Sequence, residues 1–165
     1  MSADAKQIGG THYKAAVQHW DFVHQCLRDR YMEGQVTKYI TRWRLKHGTQ
    51  DLEKAKHYLE KLIEMHHAGQ IDPMRPPRAL NFAACFREFA SSNNMKPEEQ
   101  QICWHISMWE SLEDLVRAME GIQFLINNAP VILEAAYEAG ELQRPLRNLL
   151  PEDGEEPGCH YVRQD

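Results

Sequence analysis

Apolar residues recur at intervals of three and four along nearly the whole chain, and this periodicity admits little besides packed helices. Val36, Tyr39, Ile40 and Trp43 fall at i, i+3, i+4 and i+7, the spacing of one buried helical stripe. Val17, Trp20, Val23, His24 and Leu27 follow the same rhythm and predict a first helix over 16–29. The second helix is expected from Tyr31 to His47-Gly48, with Gly48 supplying a left-handed cap. Thr49 then reads as the N-cap of a third helix, whose stripe is Leu52, Ala55, Leu59, Leu62, Ile63 and His66. Asp51 sits in its first turn, where the helix dipole favours an acid.

Residues 69–78 hold three prolines and a glycine, and proline cannot continue a helix. Beyond this break Leu80, Ala83, Ala84, Phe86 and Phe89 predict a helix ending near Ser91–Asn94. Pro97-Glu98-Glu99 starts another, which continues to Asn128 either unbroken or divided near Glu110-Ser111. A last helix is expected from Pro130 to Leu142. The predicted class is all-α, a small antiparallel bundle followed by a second helical segment. The expected division is a bundle domain over 1–68, a linker over 69–78, an acidic helical extension over 79–150 and an acidic tail over 151–165. No strand signal and no internal repeat stands out. Trp20, Trp43, Trp104, Trp109, Phe82, Phe86 and Phe89 are expected in the core or at a subunit interface.

Charge divides the chain. Residues 1–68 carry 11 Lys+Arg against 8 Asp+Glu, whereas residues 69–165 carry 8 against 16. A basic front half suits a phosphate-bearing partner, and the acidic back half disfavours nucleic acid over the whole surface. No apolar run approaches the roughly 18 residues of a membrane span, and the first residues lack an apolar signal core. The expectation is a protein without membrane partners in the cytoplasm. Cys26, Cys85, Cys103 and Cys159 are far apart with no C-x-x-C pair, so free thiols are expected.

Lys38, Arg42 and Lys46 are spaced i, i+4, i+8 on one helix flank, an arrangement that suits phosphate but also fits a solvated face. Gly9-Gly10-Thr11-His12-Tyr13-Lys14 offers close backbone approach, an imidazole and a ring for stacking, or simply an N-terminal arm. Asp51 and Lys54 form an i, i+3 pair. The histidines show no metal-ligand spacing supported by acids, so no metal site is expected. The phosphate-loop motif G-x-x-x-x-G-K-[ST] is missing, as are G-x-G-x-x-G, G-x-S-x-G and H-E-x-x-H.

Thr11-His12-Tyr13, then Gly34-Gln35-Val36-Thr37-Lys38-Tyr39 through Arg42 and Lys46, then Asp51-Leu52-Glu53-Lys54-Ala55 with Tyr58-Leu59 resemble the SaV-like phage domain family. That family is small, phage-encoded, without a P-loop and usually described as nucleotide kinases. The resemblance implies that His12, Tyr13, Gly34, Gln35, Lys38, Arg42, Lys46 and Lys54 contact a nucleotide. It also implies catalytic roles for Arg42, Lys38 and Asp51. Gln35 stands where the family usually has Asn, an amide longer by one methylene. The leading expectation is a kinase-like protein acting on a (deoxy)nucleoside monophosphate, with ATP a candidate donor and both the donor and any need for Mg²⁺ left open. Arg42, Lys38 and Lys46 would hold phosphates, His12 and Tyr13 would close over base or sugar, and Asp51 would orient a lysine or the ligand. One alternative is a non-catalytic binder that sequesters a nucleotide or a nucleotide-derived defence signal. Another is a protein that acts on a host factor through its acidic half. A homo-oligomer in the host cytoplasm completes the expectation.

Overall fold

The structure, a computed structural model, describes residues 16–27, 30–73 and 82–143. Its helices are α1 (His19–Leu27), α2 (Tyr31–Arg42), α3 (Thr49–His67), α4 (Phe82–Ser92), α5 (Pro97–Ser107) and α6 (Leu112–Glu138). A 3₁₀ turn, Trp43–Leu45, follows α2. No strand occurs among the described residues, and the all-α expectation holds. The tail over 151–165 and the second half of the 69–78 linker lie outside the described residues.

Local chemistry sets several boundaries. Glu99 reaches back from the first turn of α5 to accept the Lys96 backbone N–H at 2.8 Å, and Pro97 occupies the first turn, where its missing N–H costs nothing. Ser111 starts α6 in the same way, its backbone N–H and hydroxyl both donating to Asp114 Oδ2. Burial raises the Asp114 pKa, but hydrogen bonds from Glu110 and Ser111 and the nearby His105 together hold it below the usual value. Of the two arrangements left open for this run, the chain adopts the one divided near Glu110-Ser111.

Four expectations are corrected. The buried stripe of α1 is Phe22, Cys26 and Leu27, while Trp20 is 50% exposed and His24 is also exposed. The reason is Phe89 of α4, which stacks on Phe22 at 4.2 Å and rotates the helix accordingly. Next, α2 stops at Arg42 rather than at His47-Gly48. Trp43 and Arg44 both turn toward Glu99, and the chain tightens into the 3₁₀ turn there. Gly48, at φ +55°, is itself the N-cap of α3, and Thr49 is the first helical residue. Lastly, α6 runs through Pro130 to Glu138, with no new helix beginning at Pro130. Pro130 is exposed while Ala129 and Ala136 keep the opposite face docked, so packing outweighs the hydrogen bond that the Ile126 carbonyl lacks.

One core spans both sides of the proline-rich segment. Trp43, Ile40, Leu52 and Leu59 from the first half join Ile102, Ile106, Trp109 and Leu115 from the second. Of the aromatics expected in the core or at a subunit interface, Trp20 and Trp104, the latter 38% exposed, are the two outside the core.

The core also reveals a repeat that the sequence reading missed. Glu33 and Trp43 recur as Glu99 and Trp109 at the same ten-residue spacing. Val36 and Ile40 match Ile102 and Ile106. Asp51-Leu52, Lys54-Ala55, Leu59 and Leu62 match Asp114-Leu115, Arg117-Ala118, Ile122 and Leu125. Like packs on like: α1 against α4, α2 against α5 and α3 against α6. That reciprocity is the signature of a two-fold interface, here formed between two three-helix units of one chain. Trp43 Nε1 donates to Glu99 Oε1 at 2.6 Å, and Trp109 Nε1 donates to Glu33 Oε1 at 3.0 Å. The units are joined by one such contact in each direction.

Candidate functional site

Tyr31, Gln35, Tyr39 and Arg42 follow one another along one face of α2 at intervals of four, four and three, with Lys38 beside them. Tyr58 of α3 stacks on Tyr39, the rings 5.8 Å apart and 19° from parallel. Tyr31, 61% exposed, meets Tyr58 edge-on at 6.1 Å. A hydrogen bond with Tyr31, more than burial, raises the Tyr58 hydroxyl pKa.

Three cations surround the Tyr39 ring. The Arg42 guanidinium lies 4.7 Å from its centroid, and the Lys38 and Lys54 ammonium groups lie 5.7 Å from it. Asp51, fully buried at the start of α3, binds two of them. Arg42 Nε and Nη2 donate to its two oxygens at 2.9 and 3.4 Å, and Lys54 Nζ donates at 3.3 Å. A lone buried carboxylate would be costly, and this pairing makes Asp51 tolerable while fixing Arg42 against the tyrosine.

Beneath the cations lies His19 of α1. His19 Nε2 lies 3.0 Å from Thr37 Oγ1, a hydroxyl that also reaches the Glu33 carbonyl at 2.9 Å. Burial, followed by the fields of Lys38 and Arg42, pushes the His19 pKa down to about 3. His19 is a neutral floor to the site.

Of the residues singled out from sequence, Lys38, Arg42, Asp51 and Lys54 come together, and Gln35 lies on the same helix face. Gly34 points elsewhere: a Cβ there would stand 3.3 Å from Val23 of α1, so this glycine serves helix packing. Lys46 is not on the flank of Lys38 and Arg42, because α2 ends before it; it sits exposed past the 3₁₀ turn. His12 and Tyr13 lie outside the described residues. Sequence reasoning gave no role to Tyr31, Tyr58 or His19. The recurrence of Tyr at 31 and 39 was the available signal for the first.

The equivalent surface of the second unit is a groove of about 320 Å³ lined by Glu98, Gln101, His105, Arg117, Gly121 and Phe124. His105 replaces Tyr39 there, and Gly121 replaces Tyr58. Among the described residues, no group of three or more His, Cys, Asp or Glu is placed to hold a metal ion. No helix among them is long and apolar enough to cross a membrane.

The fold and this face define an all-α protein with cations gathered on an aromatic platform. Residues 9–60 match the family described as a protein of unknown function, DUF3310. The match takes in α1, α2 and most of α3, hence the whole platform, and none of α4, α5 or α6. No curated protein and no solved structure matches the chain.

Proposed function

We propose that the face between α2 and α3 binds a nucleotide, with the phosphates on Lys38, Arg42 and Lys54 and the base against the exposed Tyr31 and Tyr58 rings. The observation that carries this reading is the convergence of three cations on one tyrosine with a single buried carboxylate between them. The cations repel one another, and an anion relieves that repulsion. Guanidinium and ammonium groups are the usual partners of phosphate oxygens. A ring at their edge gives a base a surface for stacking.

The resemblance to the SaV-like phage domain family supports the same ligand class and adds phosphoryl transfer from ATP. In that chemistry the cations act by positioning and by stabilising charge on the transferring oxygens. Asp51 then works through Arg42 and Lys54, since those two side chains already engage both of its oxygens.

The test is incubation with each nucleoside and deoxynucleoside monophosphate plus ATP, with and without Mg²⁺, followed by chromatography of ligand and products. Diphosphate formed by the native protein and lost in Lys38→Ala establishes a kinase. Nucleotide retained unchanged by the native protein and released by Lys38→Ala establishes a sequestering binder. Neither turnover nor retention overturns the reading.

A further inference from the structure

Helices α1 and α4 run antiparallel in a register that their contacts fix. Phe22 stacks on Phe89 at 4.2 Å, and the Asn93 amide donates to the Val17 carbonyl at 3.1 Å. One helical turn beyond Phe22 on α1 is Cys26, and one turn before Phe89 on α4 is Cys85. The register therefore sets these two cysteines opposite each other, with Cys85 near enough to help raise the Cys26 pKa. Cys26 is buried and Cys85 half-buried, so one thiol is shielded while its neighbour can be reached from solvent. Cys103 is fully buried against α2 and takes no part.

We propose that Cys26 and Cys85 form a reversible disulfide on exposure to a small-molecule disulfide, tying α1 to α4. The Cys85 thiolate attacks the reagent's S–S bond, forming a mixed disulfide and releasing one thiolate. The Cys26 thiol loses its proton to solvent and attacks Cys85 Sγ, which forms the protein S–S bond and releases the second thiolate. The two cysteines are oxidised by two electrons and the reagent is reduced to two thiols. Burial and the adjoining Cys85 push the Cys26 pKa up to about 12, so the second step is slow and quickens with pH. The bridge staples the helix that carries His19 onto the second unit, fixing the floor beneath Lys38 and Arg42.

The full chain is treated with oxidised glutathione, thiols are counted in denaturant, and non-reducing tryptic peptides are mapped by mass. Two of the four thiols in the sequence are expected to disappear, with peptides 15–28 and 79–87 joined and separated again by dithiothreitol. The oxidised protein is expected to melt at a higher temperature, because the cross-link restricts the unfolded chain. Glutathione adducts alone, a bridge to Cys159, or unchanged thiols each overturn the proposal. A Cys26–Cys85 bridge that leaves the melting temperature unchanged or lowers it also overturns it, since such a bridge does not fit the folded register. Cys85→Ser is expected to lose both the joined peptide and the thermal shift.

Discussion

The two three-helix units share their inward positions and diverge on their outward ones. Inside, Glu33 and Trp43 correspond to Glu99 and Trp109, and Val36, Ile40 and Leu59 correspond to Ile102, Ile106 and Ile122. Outside, Lys38, Tyr39, Arg42 and Tyr58 of the first unit correspond to Trp104, His105, Met108 and Gly121 of the second. Interior positions must satisfy a partner that is itself the other unit, so they are bound together. Surface positions meet only water or a ligand, and here one unit gathers cations on a platform while the other opens a groove. The repeated part of the molecule accounts for the fold, and the unrepeated part carries the proposed ligand site.

The comparison breaks most sharply at the two buried carboxylates. Glu99 receives Trp43, both forks of Arg44 and the Lys96 backbone N–H. Glu33 receives Trp109 and Arg30 on one oxygen, while Oε2 is buried with no hydrogen-bond partner among the described residues. Glu99→Ala is expected to cost about 3–5 kcal/mol in urea denaturation, because it strands a buried guanidinium and an indole N–H. Glu33→Ala is expected to cost less, about 1–3 kcal/mol. Equal losses would show that the two contacts are energetically alike despite their different partners.

The glycines give a second contrast. A Cβ on Gly121 would stand 2.6 Å from Ile102 Cγ1, well inside contact, whereas at Gly34 the nearest atoms are 3.3 Å away. Gly121→Ala should destabilise by about 1–3 kcal/mol through overpacking between α5 and α6. Gly34→Ala should change stability by less than about 1 kcal/mol, since the better helix former offsets a mild squeeze. Thermal melts of the two variants make the comparison directly.

Acid sharpens it further. His19 keeps a pKa near 3 when folded against 6.5 when free, so the unfolded chain binds its proton first as pH falls. Stability should therefore decline from about pH 6.5 downward, and His19→Gln should flatten that slope. Asp114, its pKa lowered in the fold, stabilises fully above the ordinary carboxylate pKa, and this contribution is lost as pH falls below it and protonation breaks its native hydrogen bonds. Denaturation at stepped pH separates the two windows, one from each unit.

Much of this architecture was legible beforehand. The stripes of α2 and α3 and the start at Pro97 followed from periodicity, capping residues and proline, all local properties of the chain, which left the break at Ser111 as one of two alternatives. The helix-to-turn change at Trp43 was not legible, because its cause is Glu99, 56 residues away in sequence. The two-unit repeat was masked by sparse identity and by unequal connections: eight residues from Trp43 to Asp51 against five from Trp109 to Asp114. In the site, Lys38, Arg42, Asp51 and Lys54 were found by residue type and spacing, whereas Lys46 was misplaced because its position depended on where α2 ended.

Sequence by itself determined that the chain is helical, where most helices begin, and that basic and acidic residues fall in different halves. Those properties depend on neighbours within a turn or two, which periodicity and composition record. Tertiary structure alone decided which face of α1 is buried, that the acidic half completes the basic half's core, and that Tyr31, Tyr39 and Tyr58 form one platform. Those outcomes rest on contacts between helices remote in the chain. Only the packed arrangement of two complementary units brings such residues within reach of one another.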